Sequence, residues 1–408
     1  MRILYFSSRD CWPPNTGARI RDYYLAREMG RQASVTYFGL PNSDDGRDPT
    51  PPPPDVSGIQ EMVLVPKQAR YTPWKLLRGL WGPEPVTVLN CETPQGRQEL
   101  ARVLENGRFD TVQMEGVHLI GYLPVLRAAS NRPRVICDWH NIESEIMRRY
   151  SETVPSQARR WYARRTALLL ERAEDRLLQN CDAHVVVSER ERQKLLARVP
   201  KARIQVVGNG VDTAYFSTVA GEAAAEPTDV VFVGSMNYHA NIDAAVWIAQ
   251  EVWPEVRRRN PALRLCLVGC DPAPEVRALG ALEGVVVTGT VEDLRPYYGR
   301  ALAAVAPLRS GSGTRLKILE AMAAGVAVVS TALGAEGLEV EAGRDFVLAD
   351  SAAGMSQAVL DLARDTAARQ RLIAAGRKVV ESLYDWSALA RTLYRIHCEV
   401  AGWSAEWE

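Results

Sequence analysis

The chain has 408 residues, more than one hydrophobic core usually serves, so two domains are expected. Lysine plus arginine equals aspartate plus glutamate at 49 each, which removes any general electrostatic case for a nucleic-acid partner and leaves basic sites to local clusters. An apolar content of 47% is ordinary for a globular protein, and seven scattered cysteines without metal-type spacing argue against a zinc framework and for reduced thiols.

The chain begins MRILYFSS, a short apolar strand that runs at once into polar residues. Neither a signal peptide nor a membrane span is expected from it, which points to the cytoplasm. Strand-like runs follow: RILYF, SVTYFG, EMVLVP, TVQMEG, RVICDWH and AHVVVS, separated by helical patterns. The proline-rich stretch 43–58 reads as a surface loop. The segment YTPWKLLRGLWG (71–82) mixes Trp74, Lys75, Arg78 and Trp81 with leucines. It is either an ordinary packed helix or a basic amphipathic segment able to lie on a membrane or cover a lipid-linked acceptor. Residues 155–180 predict one long, arginine-bearing helix.

A second series of runs is RIQVVGNG, DVVFVGS, RLCLVG, GVVVTG, LAAVAP, AVVST and DFVLA. Continuous apolar strands alternating with helices indicate parallel sheets covered on both faces. The predicted fold class is therefore α/β, with two Rossmann-like domains whose parallel sheets face a central cleft. Their spans are 1–202 and 203–385, and a C-terminal helix over 386–408 packs back across the boundary.

The most informative stretch is RSGSGTRLKILEAMAAG (309–325), read as loop, helix and a Gly325 cap after the strand LAAVAP. In an open parallel sheet, ligands sit at the carboxyl ends of strands, against the amino termini of the helices that follow. Gly311 and Gly313 would let backbone amides approach an anion such as a diphosphate, with Ser310, Ser312 and Thr314 beside them. Lys317 and Glu320 share a helix face and suit phosphate and ribose hydroxyls respectively, and Arg309 offers a second cation. A glycine-softened turn with an exposed Lys–Glu pair is the alternative.

The ordered set FVGS, LVG, VTGTVEDLRPYY, the 309–325 stretch and GAEGL resembles the nucleotide-binding half of retaining glycosyltransferases of family four, which have the GT-B fold. PPNTGARIRDYYLAREM and GSMNYHANIDAAVWIAQEVWP further resemble bacterial sugar transferases of exopolysaccharide assembly. The resemblance implies that Glu320 is the second glutamate of that family's Glu-x7-Glu motif and binds ribose. The first glutamate is replaced by Ser312, and the usual Arg and Lys after the first strand of that domain are absent. After Gly234, the residues Asn237, His239 and Asn241 occupy that loop, so the phosphate role passes to Arg309, Lys317 and the amides of 311–314.

In the N-terminal half, Gly17 would permit close approach of a loop to the substrates. Arg19 or Arg21 would reach an anionic group or stay solvated, and Trp12 would stack on a sugar or brace its loop. The strand ends TVQMEG and RVICDWHNIE place Glu115, Asp138 and His140 at the expected site. Glu115 and His140 would orient the acceptor and stabilise developing positive charge, with Asp138 fixing the histidine tautomer. The implied activity is transfer of a sugar from a nucleotide diphosphate sugar to a hydroxyl of a glycan or lipid-linked acceptor in bacterial polysaccharide synthesis. No metal and no cofactor are expected, and membrane contact, if any, would be peripheral, at the inner face. A sugar-nucleotide epimerase on the same fold, or an inactive nucleotide-sugar-binding partner subunit, are the other readings.

Overall fold

Both series of strands form in the computed structural model, which describes residues 1–14, 16–43, 58–68, 72–221, 227–310 and 316–404. The chain divides into two compact units, Met1–Gly208 with Leu389–Glu408, and Asn209–Ala388.

The first unit holds a seven-stranded sheet built from β1 (Arg2–Ser7), β2 (Ser34–Gly39), β3 (Glu61–Leu64), β4 (Thr111–Glu115), β5 (Arg134–Trp139), β6 (Ala183–Val186) and β7 (Ile204–Val206). Its order is β3-β2-β1-β4-β5-β6-β7, and every neighbouring pair is parallel. The central strands are buried along their length because helices cover both faces, which is why they read as unbroken apolar runs. Leu4, Phe6, Phe38, Val112, Met114 and Cys137 pack in this core with Leu170 and Leu177. The parallel register sets Glu115 opposite Asp138 at the carboxyl ends of β4 and β5.

Three helices of this unit bear on function. Helix α1 (Gly17–Met29) starts at Thr16, whose side chain accepts from the Arg19 amide. Helix α2 (Pro73–Trp81) is capped in the same way by Thr72, and α3 (Gln157–Asn180) by Ser156. The segment RIQVVGNG does not open the second series. Its strand β7 pairs with β6, so it forms the edge of the first sheet. A three-residue strand carries no sequence signal for which of two sheets it joins.

Polar side chains bind the centre of this unit together. Arg21, on α1, is fully buried and forks onto Asp138 of β5, its Nε and Nη2 lying 2.8–3.1 Å from the two carboxylate oxygens. The same guanidinium donates to the carbonyls of Val207 (2.9 Å) and Gly208 (2.7 Å). Gln113 Nε2 donates to Asp138 at 3.0 Å, and its Oε1 lies 3.1 Å from His397 Nε2 on the C-terminal helix Trp386–Ala401. Thr111 Oγ1 lies 2.7 Å from His397 Nδ1. Burial drives the His397 pKa down to about 3, so the ring is neutral and offers one donor and one acceptor to these two partners.

The second unit contains β8 (Asp229–Val233), β9 (Arg264–Val268), β10 (Val285–Val287), β11 (Ala301–Ala306), β12 (Ala327–Ser330) and β13 (Val347–Leu348), in the order β10-β9-β8-β11-β12-β13, all parallel. Helix α4 (His239–Trp247) follows β8, and α5 (Leu316–Ala323) follows β11. The expected cap after α5 is present: Gly325 has φ 74°, and the amide of Val326 returns to Ala321.

Removing one partner of a fully buried ion pair strands the other charge. Arg21→Met is expected to lower unfolding free energy by about 3–5 kcal/mol. Urea denaturation checks this, and a loss below about 1 kcal/mol would show that Asp138 is satisfied without the arginine.

Candidate functional site

In the first unit, four strands and one helix bring polar side chains to one place. Ser7 closes β1, Tyr37 lies on β2, Glu115 closes β4, and His140 follows β5. His140 Nε2 lies 2.5 Å from Glu115 Oε2 and 3.3 Å from Asp22 Oδ1. Asp22, on α1, accepts from Ser7 Oγ at 2.8 Å, lies 3.4 Å from the Tyr37 hydroxyl and sits 3.6 Å from an Arg9 guanidinium nitrogen. Asp22 and Glu115 are buried, while His140 keeps 17% of its side-chain surface exposed and so faces outward from the cluster.

Charge decides how this cluster titrates. Burial pushes the Glu115 carboxyl up to about 7, reinforced by Asp138 and Asp22. Burial alone would discharge His140, but hydrogen bonds and attraction from Asp22 and Glu115 outweigh it and raise its pKa to about 9. Asp22 is held below the usual carboxylate range, because His140, Arg9 and Ser7 together overcome its burial. Three buried carboxylates, Asp22, Glu115 and Asp138, thus face Arg9, Arg21 and His140, and a protonated histidine balances the set. Asp22, Glu115 and His140 each offer a ligand atom within 4.8 Å of the others and could hold a metal ion. The imidazolium serves the same carboxylates.

Several expected roles fall differently. Asp138 is committed to Arg21 and Gln113 rather than to His140, whose Nε2 is met instead by Glu115 and Asp22. Arg21 is not available to a ligand, and Arg19 pairs with Asp10 at 2.6 Å. Gly17 is the first residue of α1, and Trp12 packs against Tyr23. The residue that sequence reading missed, Asp22, carried a signal. Positions 22, 25, 26 and 29 form the buried face of α1, so an aspartate stands where periodicity calls for an apolar side chain.

In the second unit, Gly234 lies at the end of β8 in contact with α4 and α5: a Cβ there would lie 2.8 Å from Asn241 Nδ2 and 3.1 Å from Lys317 Nζ. Gly269, at the end of β9, has φ 154° and its Cβ would collide with the Gly234 carbonyl at 1.7 Å. Lys317 Nζ donates to Asn241 Oδ1 at 2.8 Å and sits 4.4 Å above the Phe232 ring. Glu320, one turn on, is partly buried with the Tyr298 hydroxyl 3.5 Å from its Oε2. Burial lifts its pKa to about 7 against the opposing pull of Lys317 and Tyr298. Asn237 and His239 are exposed in the loop between β8 and α4 and its first turn. Arg309 is not a free cation: it forks onto Asp243 of α4 at 2.7 and 3.1 Å and lies over Trp247. Ser310 is described, whereas Gly311, Ser312, Gly313 and Thr314 lie outside the described residues.

Two parallel-sheet units with polar groups at the strand ends are the architecture of the GT-B glycosyltransferases. Sucrose-phosphate synthase from Thermosynechococcus elongatus superposes with a TM-score of 0.69 at 18% identity, over 98% of this chain and 100% of that one. HepE of Anabaena, solved in complex with UDP and glucose, gives 0.64 at 14% identity over 98% and 100%. The family described as Glycosyltransferase Family 4 matches residues 17–215, and that described as Glycosyl transferases group 1 matches 227–365. The chain belongs to these glycosyltransferases. Glycogen synthase of Mycobacterium tuberculosis is 30% identical over 206 residues, 48% of each chain. The chain spans about half the length of the curated relatives it matches.

The histidine also links the cluster to stability. His140 binds its proton more tightly folded than unfolded, so its contribution is complete below pH 6.5 and disappears as pH rises through about 9. Chemical denaturation of wild type and His140→Gln should show a stability difference that shrinks over this window. A difference that grows with pH would contradict an imidazolium held between two carboxylates.

Proposed function

We propose that the protein transfers a glycosyl group from a nucleotide diphosphate sugar to a hydroxyl of a glycan or lipid-linked acceptor in polysaccharide synthesis, with retention of anomeric configuration and without a catalytic metal. The observation that carries this reading is the Lys317–Glu320 face of α5, set behind the carboxyl end of β11 with the glycine contacts of Gly234 and Gly269 beside it. Family membership of both halves supports it.

Lys317 would exchange its bond to Asn241 for the diphosphate, and Glu320 would accept hydrogen bonds from the ribose hydroxyls. Stabilising the charge that builds on the leaving diphosphate is the main electrostatic task in such a transfer. The α5 amino terminus and Lys317 suit it. UDP is a natural candidate for the nucleotide, because HepE, which shares this fold, was captured with it.

In the first unit, Glu115 Oε1 is a buried oxygen without a hydrogen-bond partner among the described residues, and it would receive the acceptor hydroxyl. In such a transfer the departing diphosphate would take the acceptor proton. Any membrane contact would be peripheral. No helix among the described residues is long and apolar enough to cross a membrane.

The Glu320 assignment has a pH signature. Ribose hydroxyls donate to the ionised carboxylate, so affinity for a nucleotide sugar should rise as pH increases through about 7. In Glu320→Gln that dependence should vanish, and the affinity should fall roughly tenfold, as for a lost charge-assisted hydrogen bond. Lys317→Ala should cut turnover by about a hundredfold with the melting temperature nearly unchanged. Wild-type affinity and turnover in both variants would remove the donor assignment.

A further inference from the structure

Helix α2 is turned the wrong way for a helix of a globular unit. Its single fully buried position is Gly79, where a Cβ would lie 1.9 Å from the Val86 side chain, so the glycine face is the one pressed against the protein. Trp74, Leu77 and Trp81, at i, i+3 and i+7, lie on the opposite face. They are 69%, 49% and 78% exposed. An amphipathic helix normally buries its apolar stripe, and this one presents the stripe to the surroundings.

Helix α3 extends the same surface. Arg165 donates from its guanidinium to the carbonyls of Leu80 and Gly82, both at 3.2 Å, tying the end of α2 to α3. Trp161 and Leu168 lie on the same stripe of α3 as Arg165, at i, i+4 and i+7, and both are exposed. Cations are interleaved with these side chains: Lys75 and Arg78 on α2, Arg164 and Arg172 on α3. None of the four has an ion-pair partner among the described residues.

We propose that α2 and the adjoining stripe of α3 form a docking face for an anionic lipid bilayer. The tryptophans and leucines would enter the interfacial region, and the unpaired lysine and arginines would meet the headgroups. Charge complementarity selects this occupant. A second copy docking through the same face by a two-fold axis would set like charges against one another, whereas a bilayer supplies apolar depth and negative charge together. The inference does not depend on the transfer reading, since vesicle binding requires neither nucleotide nor turnover.

The full chain should co-sediment with phosphatidylcholine vesicles containing about one third phosphatidylglycerol, remain in solution with phosphatidylcholine alone, and be released by salt. Trp74→Ser/Trp81→Ser should weaken partitioning by at least about tenfold, and Arg78→Glu/Arg164→Glu should do the same. Should the tryptophan variant lose its melting transition, the arginine variant decides by the same assay. The proposal is overturned if wild type stays in the supernatant with the anionic vesicles, or if the folded variants sediment as well as wild type. It is equally overturned if the face instead mediates a concentration-dependent dimer that the substitutions abolish.

Discussion

The first unit depends on one ion pair that never meets water. Arg21 and Asp138 join α1 to β5, and the guanidinium also holds the carbonyls of Val207 and Gly208, where the first segment of the unit ends. Through Gln113 the same carboxylate is connected to His397, and so to the C-terminal segment that returns to this unit. Burying such a pair is costly unless every remaining donor and acceptor is used, and here they are used on the backbone that closes the unit. The interaction therefore fixes which segments belong together, and it leaves Asp138 unable to serve a ligand directly.

That commitment shapes the neighbouring chemistry. With Asp138 occupied by arginine, the two remaining carboxylates, Asp22 and Glu115, share one imidazole. Their joint pull keeps His140 charged, while burial keeps Glu115 close to neutrality in its titration. The result is one carboxyl, Glu115, that titrates near physiological pH beside a charged imidazolium and an ionised Asp22, at the carboxyl ends of a parallel sheet, where such folds place ligands. The second unit follows the same positional rule with different parts, a lysine and a glutamate on the helix after β11 and glycines that let backbone segments close up.

Much of this was legible in the sequence because parallel strands covered on both faces leave continuous apolar runs, and the thirteen strands among the described residues coincide with runs that stand out by eye. Glu115, Asp138 and His140 were legible as polar residues at strand ends. Their pairing was not, since register and a distant helix decide that Asp138 meets Arg21 and His140 meets Asp22. Arg309 was expected at a phosphate, yet a partner outside its own segment, Asp243, claims it. Periodicity showed that α2 has an apolar face, and an ordinary packed helix was one reading. Which way the face points depends on Gly79 fitting against Val86, a contact between elements that no local pattern encodes.

The second unit is proposed to bind the nucleotide diphosphate portion of a sugar donor, which the protein would use without a metal. The most direct test is titration calorimetry of the unmodified protein with a panel of nucleoside diphosphates, in the presence of a chelator and again with magnesium. Selective binding of one nucleoside diphosphate with the same affinity in both conditions is the expected result. Absence of binding by every nucleoside diphosphate, or binding that appears only with magnesium, would contradict it.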